Sequence, residues 1–118
     1  MNSYIELDVW LESRKLVKMI YEACSTFPSE EKFGLISQIK RSGISVPSNI
    51  AEGCGRQTSK DTIHFLHIAK GSLFELETQI YLANDLKFLN EEKLNTILTQ
   101  ITSCKKLLNG FINYYRKK

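Results

Sequence analysis

The two histidines, His64 and His67, stand three residues apart, and Asp61 precedes the first by another three. On a helix this spacing sets all three on one face. Asp61-x-x-His64 then has the geometry with which helical bundles hold a metal pair, but that chemistry needs a second such motif and a carboxylate from each of two further helices. No second motif occurs, so the sequence predicts no metal and two surface or half-buried histidines. Arg56 and His64 are the nearest approach to the Arg and His pair of helical ribonucleases, at a longer spacing and with Arg56 ahead of the helix. Cys54 in Gly53-Cys54-Gly55-Arg56 would need a depressed pKa to act as a nucleophile, and Arg56 is the one cation beside it. The same turn lacks the length and the Lys-Ser/Thr of a phosphate loop. No catalytic constellation forms. The sequence therefore predicts a non-enzymatic protein without a cofactor.

The elements that must position these residues are helical. A chain of 118 residues holds one core, and 6 Gly with 2 Pro leave room for long uninterrupted helices. Cys24, Cys54 and Cys104 are odd in number and far apart, as expected of reduced thiols in a cytoplasmic protein. Residues 1–10 have no signal-peptide pattern, and no apolar run reaches the roughly 18 residues of a membrane span. Four amphipathic segments follow. The first, about Leu7 to Phe27, carries Trp10, Val17, Ile20, Cys24 and Phe27 on one face. Pro28 ends it, and Ser29 is placed to cap the second segment, about Glu30 to Cys54, whose apolar face runs Phe33, Ile36, Ile39, Gly43, Val46, Ile50. Pro47 inside this pattern predicts a kink, and Gly43 predicts close approach by another helix. The third runs from Thr58 or Ser59 to about Leu86 with a seam of Leu66, Ala69, Leu73, Leu76, Ile80 and Ala83. The fourth begins at Asn90 and carries Leu94, Ile97, Ile101, Cys104, Leu108, Phe111 and Tyr115. Short connections between four long helices predict an all-α, antiparallel up-down-up-down four-helix bundle in a single domain over residues 1–118. Phe74, Tyr81, Leu98 and Ile112 fall off the main stripes, which predicts either a broad core or surface that meets another subunit.

The second segment also has a polar face. Gln38, Arg41, Ser45, Ser48 or Asn49, Glu52 and Arg56 recur at three- and four-residue steps, and Ser72, Glu75 and Gln79 of the third segment can stand opposite. A hydrogen-bonded seam, for example Arg41 or Asn49 to Glu75, would fix the helix pairing or the register of an oligomer. Within this face Val46-Pro47-Ser48-Asn49-Ile50-Ala51-Glu52-Gly53 with Gly55-Arg56 resembles the hallmark segment of the proteins encoded in bacterial 23S rRNA intervening sequences. Gln38 to Ser42, Gly71-Ser72-Leu73-x-Glu75-Leu76-x-x-Gln79 and Leu7-Asp8-Val9-Trp10 are similar to the same family, so the resemblance covers nearly the whole chain. It implies a four-helix bundle that assembles as a homopentamer, without an established enzyme activity. It also implies fold-level kinship with the accessory variability protein of diversity-generating retroelements, which binds nucleic acid and a reverse transcriptase through basic surface.

Two basic clusters give such a partner somewhere to bind. From position 105 onward the cations Lys105, Lys106, Arg116, Lys117 and Lys118 meet no carboxylate side chain, and Tyr114 and Tyr115 beside them are placed to stack on bases or to anchor the tail. Lys40, Arg41, Arg56 and Lys60 form a second cluster near the turn between the second and third segments. The net charge of +3 is mild, yet five copies would carry about +15 on one assembly. The leading expectation is a homo-oligomeric bundle that binds structured RNA or DNA electrostatically. Its alternatives are a scaffold that docks another protein and, below it, an RNA-processing nuclease using His64 or His67.

Overall fold

The first helix begins only after a 3-10 turn at Tyr4–Glu6, in a computed structural model that describes residues 3–118. Four α-helices follow: α1 (Asp8–Cys24), α2 (Leu35–Cys54), α3 (Ser59–Asp85) and α4 (Glu91–Arg116). Each packs on its neighbours in chain order, and α1 closes the set on α4. The pairings alternate in direction. Gly53 meets Thr62 and Ser45 meets Ser72 along α2 and α3, whereas Glu77 meets Lys105 and His67 meets Arg116 along α3 and α4. The result is an all-α antiparallel four-helix bundle, 45 Å long and 25 by 20 Å across. No strand occurs among the described residues.

The start of α3 and α4 follows directly from their sequences. Thr58 accepts from the Asp61 N–H at 3.1 Å and Asn90 from the Lys93 N–H at 2.8 Å, each satisfying a free donor of the first turn. The α3 seam of Leu66, Ala69, Leu73, Leu76, Ile80 and Ala83 is buried throughout. At Gly43 a Cβ would strike the side chain of fully buried Ile20, so α1 and α2 approach as the sequence predicts. The ~1 kcal/mol that a mid-helix glycine costs is offset by that contact.

Elsewhere the structure corrects the pattern. Residues 29–31 form a 3-10 turn, Ser29 caps nothing, and α2 starts only at Leu35, whose N–H donates to the Glu31 carboxylate at 3.2 Å. Phe33 therefore precedes the helix and is 90% exposed instead of lying on its core face. The inward stripe of α1 is Val9, Ser13, Leu16, Ile20 and Ala23, which leaves Trp10 and Val17 half-buried at its flank. In the last turns of α4, Ile112 takes the core position and Phe111 is half-buried. Each miss is a rotation of one residue: several neighbouring positions are apolar, and only packing decides which points inward. At Pro47 the expectation stands in part: α2 is not divided there, and the proline withholds the N–H that the Gly43 carbonyl would otherwise receive.

Candidate nucleic-acid interface

Antiparallel packing brings the end of α2, the start of α3 and the end of α4 to the same end of the bundle. The sequence separates the two basic clusters by half the chain; the fold joins part of each. Arg56 lies just past α2, pairs with Glu52 one turn back, and sets its guanidinium 4.4 Å above the Phe65 ring. Lys60 is exposed in the first turn of α3. Across from them Arg116 contacts His67, with Nη2 3.4 Å from Nε2, and the Lys118 ammonium sits 4.8 Å from the Tyr114 ring. Arg56, Lys60, Arg116, Lys117 and Lys118 are thus exposed at one end of the bundle, with Tyr114 exposed at the same end. Tyr115 is buried, and its phenol pKa is raised chiefly by that burial, then by the neighbouring Cys54. It anchors the tail and is not free to stack on a base.

The other predicted cations stand apart. Lys105 is half-buried, bonded to Glu77 at 2.8 Å and poised 4.3 Å over Phe74, so it ties α4 to α3. Lys106 faces the groove between α4 and α1, near Asp8 and Glu12. Lys40 is half-buried over Tyr21 at 4.5 Å, in the α1–α2 seam, and Arg41 is exposed midway along α2. What the sequence reading left out of the site is the pair His64 and His67, both exposed at this end. The repeat Lys60, His64, His67 on one helical face was the signal available for it.

The polar seam between α2 and α3 exists with other partners than Glu75. Ser45 and Ser72 share a hydrogen bond of 2.8 Å, and Asn49 donates to the Ser45 carbonyl at 2.8 Å and to its hydroxyl at 2.9 Å. Thr62 closes the seam by donating to the Gly53 carbonyl at 2.8 Å. Glu75 and Gln38 are exposed, and among the described residues the ion pairs are Glu52–Arg56 and Glu77–Lys105. The Arg41–Glu75 pairing is therefore not made within the chain. Gln79 is half-buried, and its side-chain oxygen finds no donor.

The thiols are quiet. Burial raises the pKa of Cys24 and of Cys54 and pushes Cys104 up to about 11, so Arg56 does not activate Cys54. Among the described residues no three His, Cys, Asp or Glu side chains gather closely enough to hold a metal ion, and no helix is long and apolar enough to cross a membrane.

The sequence pattern of the 23S rRNA-intervening sequence proteins matches residues 5–110, spanning all four helices up to the last turns of α4. The chain belongs to that family. Its fold is similar to the crystal structure of a protein of unknown function from the S23 ribosomal protein family of Bacteroides thetaiotaomicron, with a TM-score of 0.82 and 29% sequence identity over 89% of this chain and 95% of that one. No curated protein matches it. In this 23S rRNA-intervening sequence protein the stretch that carries the family resemblance, residues 46–53, is largely structural: Val46 and Ile50 are core, Asn49 braces the seam, Glu52 holds Arg56, and Gly53 receives Thr62.

Proposed function

We propose that this protein is a non-enzymatic, self-associating bundle that binds structured RNA or DNA electrostatically through its basic end. The carrying observation is that Arg56 and Lys60 come to the same end of the bundle as Arg116, Lys117 and Lys118, all exposed, from opposite halves of the sequence. Each such cation that neutralises a phosphate releases counterions, which makes affinity steeply dependent on salt. Self-association is supported by α3 and its C-cap, where Ile68, Leu82 and the capping Leu86 are exposed on a face shared with Glu75. Assembly as a pentamer, which the family resemblance implies, would repeat the basic end five times and raise its field accordingly. Three reduced cysteines fit a cytoplasmic setting.

The test is equilibrium binding of the purified protein to a labelled structured RNA across a salt series, with the subunit number measured alongside by light scattering. Affinity falling with salt at a slope of several phosphate contacts is the expected result. An absence of binding at low salt overturns the nucleic-acid reading. The exposed face of α3 then favours a scaffold that docks another protein, a reverse transcriptase being one such partner to try.

A further inference from the structure

Lys60, His64, His67 and Gly71 follow one another at steps of four, three and four, so they form one outward stripe along about 16 Å of α3. Lys60, both histidines and Gly71 are exposed, and nothing lies within 4 Å of where a Cβ on Gly71 would stand. That glycine has no packing partner to justify its helix cost within the chain, and it leaves the stripe low enough for a bulky ligand to lie along it. Arg56 and Arg116 flank the stripe on either side through Phe65 and His67.

We infer that His64 and His67 form part of a phosphate track on this stripe and that nucleic-acid binding there is coupled to proton uptake. The inference rests on the proposed nucleic-acid function and names the residues and regulation of the same site. The charged groups around the two rings are Arg56 and Glu52 at the end of α2, Lys60, Asp61 and Lys70 on α3, and Arg116 with the Lys117–Lys118 tail on α4. Glu52 is already engaged by Arg56, and neither histidine is within ion-pair distance of a carboxylate among the described residues. A bound phosphate supplies the missing negative charge, favours the imidazolium form, and by linkage makes binding tighter as pH falls through the ordinary histidine range.

The Arg116 contact adds a local trigger. Arg116 Nη2 donates to His67 Nε2 only while that nitrogen keeps its lone pair, which is the neutral tautomer with the proton on Nδ1. Protonation removes the acceptor, sets two cations against each other, and turns the guanidinium toward any phosphate on the track.

The test measures affinity for one labelled structured RNA at pH 6.0 and pH 8.0 and constant ionic strength, for the wild type, H64Q/H67Q and H64R/H67R. Both variants replace exposed side chains, and a circular-dichroism melt verifies the fold of each. The wild type is expected to bind several-fold more tightly at pH 6.0, because a phosphate that favours the charged ring binds better where protons are more abundant. The Gln variant is expected to lose the gain, and the Arg variant to bind tightly at both pH values. Salt-sensitive binding that does not respond to pH, or a gain that survives in H64Q/H67Q, overturns the histidine track while leaving the basic end as the binding surface. No binding at either pH and low salt removes both.

Discussion

The two ends of this bundle use charge in opposite ways. At the end where α1 and α3 finish, carboxylates serve the backbone: Glu91 and Glu92 sit in the first turn of α4, where the helix dipole favours them, and Glu31 accepts the Leu35 N–H. Phe27, Phe88 and Leu89 close that end with apolar packing, the two rings 5.7 Å apart, and Asn84 donates to the Leu89 carbonyl at 3.0 Å. At the other end Lys60 occupies the first turn of α3, where a cation works against the dipole, and Arg56, Arg116, Lys117 and Lys118 are exposed around it. One end spends its polar groups on folding; the other gathers cations, of which Arg56 and Arg116 to Lys118 suit the helix C-termini where they stand and Lys60 alone opposes a dipole. The net charge of +3 conceals this division.

The comparison breaks most visibly at the apolar end. Phe27→Ala removes a nearly buried ring from between α1 and the α3–α4 turn, and is expected to cost about 3–5 kcal/mol by chemical denaturation. Its binding to RNA, measured well below its melting temperature, should match the wild type. Weakened binding in a folded Phe27→Ala chain would show that the ends are coupled and the division is false.

Between the ends the buried residues carry no charged side chain, and Cys104 measures how strongly that core resists one. Its thiol is fully buried in α4, and burial pushes its pKa up from 9.0 to about 11. Because the folded value lies above the unfolded one, the protonated thiol contributes stability that is fully present below pH 9 and lost as pH rises toward 11. Two units correspond to somewhat under 3 kcal/mol. Denaturation of the wild type and Cys104→Ala at pH 8 and pH 11 should show a steeper loss in the wild type by about that amount; parallel losses would mean that Cys104 does not titrate in the folded chain.

A third change acts on the basic end alone. Replacing Arg56, Arg116, Lys117 and Lys118 together by Gln is expected to weaken binding to structured RNA about 30-fold at moderate salt and to flatten the salt dependence. The chain should remain folded, since the one ion pair lost is the exposed Glu52–Arg56 pair, worth little. Glu91→Gln/Glu92→Gln at the opposite end should leave affinity near that of the wild type. Equal effects from the two variants would reduce the basic end to general surface charge.

The sequence carries the fold further than it carries the site. Caps and periodicity place α3 and α4 because Thr58 and Asn90 act on donors three residues away and Leu66 to Ala83 repeats without interruption. Such signals are local. The start of α2 is lost because Ser29, Glu30 and Glu31 resemble a first turn, whereas Glu31 instead caps the helix that begins at Leu35. The basic end depends on contacts between residues as distant as His67 and Arg116, so sequence spacing shows two basic clusters and cannot show that part of each comes to the same end. Nor does charge alone separate Lys105, consumed by Glu77 and Phe74, from Lys60, which stays free on the surface. Glu75 marks the same limit: its three- and four-residue alignment with the polar face is correct, but within the chain Ser45, Asn49 and Ser72 satisfy one another without it.

The smallest change tests the contrast in one residue. Lys60 is exposed in the first turn of α3, the position that Glu92 holds in α4. Lys60→Glu therefore exchanges a charge that the dipole disfavours for one that it favours, beside a Thr58 cap that remains intact. The expected gain in stability is about 0.5–1 kcal/mol, screened by salt. The same exchange sets a negative charge on the proposed phosphate track, so RNA affinity should fall several-fold while the melting temperature rises. Opposite signs from one side chain would mean that Lys60 is kept for a partner at the expense of the helix. Should both quantities rise, or affinity stay unchanged, the track does not pass over the start of α3.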